Sequence, residues 1–102
     1  MNIDNIIILE QASDDITEGK QFYNVNGINV GDYFFDSIIA DIESLKLYAG
    51  IHCKHFGLYR ILTKRFPFAI YYDIAETTVV VIAVLDSRRK PAWIRKKLTQ
   101  PL

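Results

Sequence analysis

Cationic and aromatic side chains are interleaved in the stretch KRFPFAIYYDI, which spans residues 64–74. Cleavage of RNA at its own 2′-hydroxyl needs a base, cations on the phosphate as charge develops, and an acid for the leaving oxygen. Tyr71 or Tyr72 can stack on a base or donate a proton. The cations that can serve this chemistry, or bind an acidic protein segment, are Arg60, Lys64, Arg65, Arg88 and Arg89.

The two neighbouring tyrosines are predicted to have different roles. Successive side chains of a strand point to opposite faces, so at most one of the pair lines any one site. Tyr72 has the same parity as Phe68 and Ile70 and is expected in the core. Tyr71 has the same parity as Asp73, and we expect it to be exposed on a partner-binding surface.

Charge is divided unequally along the chain although its formal net charge is zero. Residues 1–53 contain nine acidic and two basic side chains, whereas residues 54–102 contain three acidic and ten basic ones. Such a basic half is typical of a surface for an anionic partner, either a phosphate backbone or an acidic protein segment. The alternative is a solvated face that the acidic half neutralises within the fold.

Length and composition favour one globular domain over residues 1–102. The chain is 50% hydrophobic, which suffices for one compact core. Its longest apolar runs are far shorter than the roughly 20 residues needed to span a bilayer. The amino terminus carries Asp4 in place of the basic segment that leads into the hydrophobic one of a secretory leader, and Cys53 is the single cysteine. We therefore expect a cytoplasmic protein without a membrane span or an internal disulfide.

The HCKH cluster at residues 52–55 offers metal-ligand atoms, yet no metal site is predicted. A structural zinc ion takes four ligands at suitable spacing, and no second ligand pair follows His52, Cys53 and His55. The cluster is better explained as the entry to a strand, with Cys53 partly buried. No glycine-rich phosphate loop occurs, so no nucleotide cofactor is predicted either.

The first half of the chain predicts one strand and two helices. Residues 5–9 suit a buried strand, and the sequence from Ser13 onward suits a helix that ends near Asn24. Gly27 and Gly31 are expected to break the chain between helices. Apolar residues recur every three or four positions over residues 32–48, which predicts a second helix ended by Gly50.

The second half predicts three strands, at residues 56–66, 68–74 and 78–85, and then a short basic helix from Pro91 that includes Trp93. Residues 79–85 contain no polar side chain, so that strand should be central and covered on both faces. The predicted fold class is α+β. We expect a four-stranded, mainly antiparallel sheet, with two N-terminal helices on one face and a short C-terminal helix.

With that element order, the stretch YRILTKRFPFAIYYDIAETTVVVIAVLDSRRKPAW at residues 59–93 resembles the RelE/ParE superfamily of bacterial toxins. The resemblance lies in an arginine before a strand, RFPF leading into IYY, the apolar strand, and the RRKPAW end. EQASDDITEGKQFYN and GDYFFDSIIADIESL also look like the amino-terminal helices of that family. The resemblance covers nearly the whole chain.

The resemblance implies a plasmid-stabilisation type of protein, the growth-inhibiting toxin of a type II toxin-antitoxin module. A cognate antitoxin would wrap the toxin and hold it inactive in the cytoplasm. Members similar to RelE cut messenger RNA on the ribosome, whereas members similar to ParE poison DNA gyrase; the fold alone does not choose between them. The expected binding residues are Arg60, Lys64, Arg65, Tyr71, Arg88, Arg89 and Trp93. In a ribonuclease, Arg65, Arg88 and Tyr71 would be catalytic.

Asp86 departs from the ribonuclease pattern. It stands where many similar proteins carry histidine, and we expect it to act as a counter-charge for Arg88 and Arg89. Because no obvious acid for neutral pH remains, a ParE-like action on gyrase or on an undetermined target is favoured over RelE-like cleavage. An inactive relic that still binds protein is a third alternative, and a homodimer stays open. This interpretation rests on the expectation that positively charged side chains from distant points of the second half converge on one hollow of the sheet.

Overall fold

The computed structural model describes residues 2–99 and has an α+β architecture. Its elements are β1 (Asn5–Ile8), α1 (Glu10–Asn24), α2 (Val30–Glu43), α3 (Leu45–Tyr48), β2 (Lys54–His55), β3 (Leu58–Leu62), β4 (Phe68–Ala75), β5 (Thr78–Asp86) and α4 (Pro91–Leu98). The strands lie in the order β1-β5-β4-β3-β2. β1 runs parallel to β5, and the other pairs are antiparallel. The predicted class is confirmed, but the sheet is mixed and has five strands instead of four.

The additional strand is β2, whose two residues were expected to form the entry to the strand predicted at 56–66. The chain reverses at Phe56 and Gly57, whose φ angles are +56° and +81°. Positive φ at both central residues is the geometry of a two-residue hairpin that matches the twist of the strands. Lys54 therefore pairs with Tyr59, and the predicted strand at 56–66 is shortened to β3.

Both long helices begin earlier than predicted. α1 begins at Glu10, three residues before the expected start at Ser13, because β1 leads through Leu9 directly into the helix. The N–H of Ser13 donates to the Leu9 carbonyl at 3.0 Å, so Ser13 lies inside the helix. Gly31 is not a breaker: it lies in the first turn of α2, where α1 approaches so closely that a Cβ would be 2.5 Å from the Lys20 carbonyl oxygen.

The predicted helix over residues 32–48 is interrupted once. α2 ends at Glu43, and Ser44 separates it from the single turn of α3. The Ser44 hydroxyl donates to the Asp41 carbonyl at 2.6 Å, the kind of local side-chain bond that competes with regular helix. Gly50 follows with φ +93°, as its expected role in ending the segment requires.

The sheet has an apolar cluster on each face. On one face α1, α2 and α3 pack against the strands, and the cluster comprises Ala12, Ile16, Phe34, Ile38, Ile42, Leu45, Ile70, Tyr72, Val79, Val81 and Val84. On the other face Ile94 of α4 packs on Ala69, Tyr71, Ala83 and Leu85. β5 is thus covered on both faces and lies between two strands, as predicted.

The two tyrosines of β4 are both buried. Tyr72 is 0% exposed, and its predicted place in the core is confirmed. Tyr71 is 1% exposed, so its predicted exposure is wrong. The parity argument assigned the two rings correctly to opposite faces, but it could not show that α4 covers the second face.

Side chains of α1 complete the hydrogen bonding of β5. β1 ends opposite Val81, and beyond that point one edge of β5 has no neighbouring strand. The Gln11 amide donates to the Ile82 carbonyl at 2.8 Å, and Asp15 Oδ2 accepts the N–H of Val84 at 3.0 Å. Ile82 is skipped in the register between β4 and β5. The bulge and the open edge therefore both have partners for their backbone groups.

Tyr72 also ties the connection after α3 to the sheet. Its hydroxyl oxygen accepts the N–H of Gly50 at 3.0 Å, and the hydroxyl shares a hydrogen bond of 2.5 Å with His52 Nδ1. Burial lowers the pKa of His52 and so favours the neutral imidazole. The Tyr59 ring stacks on Tyr72 with centroids 5.2 Å apart.

Tyr72→Phe is expected to lower the free energy of unfolding by about 1–3 kcal/mol, because the N–H of Gly50 and Nδ1 of His52 lose their partner. Tyr71→Phe is the matched control on the same strand. Its hydroxyl has no hydrogen bond with the residues that the structure describes, so its cost should stay within about 0.5 kcal/mol. Urea unfolding of the two variants measures both values, and equal losses would contradict this account.

Candidate partner-binding surface

Two connections that carry cations lie side by side at one end of the sheet. β4 begins and β5 ends there, with Phe68 opposite Asp86. The connection at 63–67 is joined to the one at 87–90 by the N–H of Ser87, which donates to the Pro67 carbonyl at 2.9 Å. Of the five cations in these connections, we call the four that the sequence predicted as site residues the basic end: Lys64, Arg65, Arg88 and Arg89.

The first connection is anchored on α2 through its backbone and its aromatic residue. The N–H of Lys64 donates to the buried Asp41 carboxylate at 3.3 Å. The Arg65 guanidinium lies 5.9 Å from the centroid of the Tyr33 ring, which packs on Phe66. Within residues 2–99 neither Lys64 nor Arg65 makes a salt bridge. Their charges are therefore available to a partner.

In the second connection Arg88 is paired with Asp86. Nε and Nη2 of Arg88 donate to the two carboxylate oxygens at 3.1 and 2.8 Å, and the backbone N–H of Arg88 adds a bond of 2.9 Å. The side-chain bonds from Arg88 hold the pKa of Asp86 below its ordinary value. The predicted counter-charge is confirmed for Arg88, and Asp86 stays ionised at neutral pH.

Arg89 turns instead toward α4. Its guanidinium lies 4.6 Å from the centroid of the Trp93 ring, and Lys97 Nζ lies 5.6 Å from the same ring. Trp93 is half-buried and packs on the cluster beneath α4. The basic end thereby continues onto α4 as a cation-bearing aromatic surface.

The remaining predicted site residues lie elsewhere. Arg60 pairs with Tyr71 across β3 and β4, and side chains opposite each other share a face. Arg60 is therefore on the face that α4 covers in part, away from the basic end, and Tyr71 is beneath α4. The five cations predicted for the site do not all meet in one hollow, so that expectation is wrong for Arg60: Arg60 belongs to a strand, and the other four belong to connections.

A cavity of about 210 Å³ lies between α1, the end of β5 and α4. α1 contributes Asp15 and Tyr23 to its walls, and α4 contributes Trp93 and Lys97. These elements are far apart in the chain, so no local motif signalled the cavity. It adjoins the basic end through Arg89, which also lines it.

Asp15 has the most perturbed carboxyl group that lines this cavity. Burial raises the pKa of Asp15 to about 6, although the N–H of Val84 and the charge of Lys97 act in the opposite direction. Glu18 and Asp14 raise the pKa further. The sequence suggested only a helix start here, because the desolvation comes from contacts distant along the chain. Asp15 titrates near neutral pH, but one of its oxygens is bonded to β5.

The HCKH segment forms no metal site within residues 2–99, where no group of three His, Cys, Asp or Glu side chains is suitably placed. His52 is bonded to Tyr72. Cys53 is exposed, so its predicted partial burial is wrong. Of the helices that the structure describes, none has the length and apolarity to cross a bilayer.

Comparison with solved structures shows that this fold is shared with a chain of known structure. A chain of the chromosomal ParDE TA system from P. aeruginosa superposes with a TM-score of 0.65 at 12% sequence identity. The match covers 80% of this chain and 92% of that one. No family model and no curated protein matches the sequence. The resemblance inferred from the sequence is confirmed at the level of the fold.

Asp15→Asn is expected to remove the part of the pH dependence of the free energy of unfolding that comes from the Asp15 carboxyl. The pKa of Asp15 is higher in the folded than in the unfolded state, so the carboxyl destabilises the fold as pH rises from about 4 through about 6. Asn keeps an acceptor for Val84 without the charge. The difference in stability between Asp15→Asn and the original chain should therefore shift in favour of Asn between pH 4 and pH 7.

Asp15→Ala is the control, since it removes the acceptor as well and should be about 1–3 kcal/mol less stable than Asp15→Asn. Chemical unfolding at pH 4 and pH 7 measures the free energy of unfolding of the original chain, of Asp15→Asn and of Asp15→Ala. A stability difference between Asn and the original chain that shifts the other way would refute the raised pKa.

Proposed function

We propose that the chain is the toxin of a type II toxin-antitoxin pair, held inactive in the cytoplasm by a cognate antitoxin. The shared fold with the ParDE chain supports the class. The observation that carries the proposal is the basic end, where four cations lie on adjacent connections and one of them, within the described part of the chain, forms a salt bridge.

The antitoxin segment that fits this surface is acidic and amphipathic. Its carboxylates would pair with Lys64, Arg65 and Arg89, whose charges need partners once they are desolvated. Its apolar side chains would contact Trp93 and the mouth of the α1–α4 cavity. Arg60 would join if the segment continued along β3, whereas Tyr71 has no part in binding while α4 covers it.

A ParE-like action by binding, on DNA gyrase or another target, fits the site better than cleavage of ribosome-bound messenger RNA. Cleavage by Arg65, Arg88 and Tyr71 requires all three at one phosphate. Tyr71 is buried under α4, while the two arginines are at the end of the sheet. The carboxyls at hand are also engaged, Asp86 by Arg88 and Asp15 by Val84.

Induced expression in a bacterial host should arrest growth, and co-expression of the adjacent open reading frame should relieve the arrest. Arg65→Ala should weaken binding of that gene's purified product about tenfold, since an interface arginine contributes about 1.4 kcal/mol when it is a hot spot. Lys54→Ala, which removes an exposed cation at the far edge of the sheet, should leave the affinity unchanged. Calorimetric titration gives both affinities.

The target is distinguished with the purified chain. Inhibition of gyrase supercoiling with intact ribosome-bound message supports the ParE-like proposal. Codon-linked cuts in the message would support the RelE-like activity instead of the ParE-like proposal, provided that Arg65→Ala or Arg88→Ala abolishes the cuts while the variant stays folded. Unaffected growth together with normal antitoxin binding would identify an inactive relic.

A further inference from the structure

The outer edge of β1 is an exposed strand edge without the usual protection. β1 is the first strand of the sheet and pairs only with β5 within the described chain. Asn5–Ile8 contains no charged residue and no proline. Such an edge presents unpaired N–H and C=O groups that readily accept another strand.

The opposite edge of the sheet, which β2 forms, has the protection that is usual for an edge strand. β2 has two residues, one of which is Lys54, and it ends in the tight turn at Phe56. Short length and a lysine are the common protections of an edge strand. β1 is twice as long as β2 and carries no lysine, which points to a partner at that edge.

Apolar side chains flank β1 on both faces. Ile6 and Ile8 line an open cleft together with Ile39 and Ile42 of α2 and Leu47 of α3. Leu47 is 80% exposed, and on the other face of β1 Ile7 is 50% exposed. The edge is therefore bordered by uncovered hydrophobic surface that association would remove from water.

We propose that β1 pairs with β1 of a second copy of this chain, antiparallel and about a two-fold axis, so that the two sheets become one of ten strands. The same patch then serves both copies, as a two-fold interface requires. The rim of the cleft carries Asp4, Glu43 and Lys46, so opposite charges are available across the axis. The clefts of the two copies then lie next to each other on the same face of the joined sheet. Leu47 of each copy is thereby covered.

A second copy covers more of this surface than an isolated extended segment does. A strand of four residues gains about four backbone hydrogen bonds from a new neighbour. A peptide would supply only those bonds, whereas a second copy also brings its α2 and α3 to the same face. The exposed apolar side chains of both helix layers are then buried in one contact.

Parity fixes the register. Directly opposite residues of an antiparallel pair share a face, so one residue of β1 must lie opposite its own copy. With Ile7 at the axis, Ile6 lies opposite Ile8, and Asn5 lies opposite Leu9, just beyond the strand. With Ile6 at the axis, Asp4 would lie opposite Ile8. The geometry therefore places Ile7 beside Ile7 of the second copy.

Sedimentation equilibrium of the purified chain should show dimers at about 100 µM. Ile7→Lys should raise the dimer dissociation constant at least about tenfold, because it places two charges together at the axis. Ile28→Lys is the matched control: it alters a more exposed isoleucine in the α1–α2 connection, and the dimer should persist. Circular dichroism shows whether each variant folds.

Disulfide trapping tests the register in a Cys53→Ser background. Ile7→Cys should form a linked dimer on mild oxidation, since opposite Cβ atoms are within reach of a disulfide. Asn5→Cys should not, because its two copies would be about 13 Å apart along the strands. A chain that stays monomeric, a dimer that survives Ile7→Lys, or preferential linkage at Asn5→Cys would overturn the proposal. The proposal would also be overturned if the β1 amides were protected only when the product of the adjacent gene is bound. That result would show that the edge binds that protein and not a second copy.

Discussion

The backbone of β5 is hydrogen-bonded along both of its edges, and the rest of the molecule depends on this arrangement. β4 pairs with it over its length, while the second edge is shared by β1 and by side chains of α1. Gln11 and Asp15 take over where β1 ends. This division fixes α1 across the end of the strand, and it therefore fixes the wall of the cavity and the place where the chain leaves toward α4.

The apolar composition of β5 has a second consequence. A strand without polar side chains needs cover on both faces, and α4 supplies it on the face that α1, α2 and α3 leave free. Arg89, which precedes Pro91, and Lys97, which follows it, are therefore held at the surface around Trp93, beside the β3–β4 connection. Packing of an apolar strand thus sets the position of the basic end.

Much of the fold could be predicted from local patterns. Helical periodicity located α2, the apolar run located β5, and the parity of β4 separated Tyr72 from Tyr71 onto opposite faces. Charge counting found the basic half, and the position of Asp86 next to two arginines predicted its ion pair.

The predictions that failed concern contacts between residues that are distant in sequence, or elements of very few residues. β2 has two residues and no periodicity, so its residues were assigned to the entry of the following strand. The exposure of Tyr71 was wrong because parity assigns a face without showing what packs on it. Asp15 went unnoticed as a titrating group, since burial between α1, β5 and α4 raises its pKa. Arg60 was grouped with the other cations because spacing alone does not separate a strand from the connections beside it.

The central claim is that an acidic partner binds the basic end, and an NMR titration tests it most directly. The ¹⁵N-labelled chain would be titrated with the purified product of the adjacent gene. The account predicts that the largest changes in amide shifts fall within residues 63–67 and 87–97. Changes confined to β2 and α3, with the basic end unaffected at saturation, would contradict it.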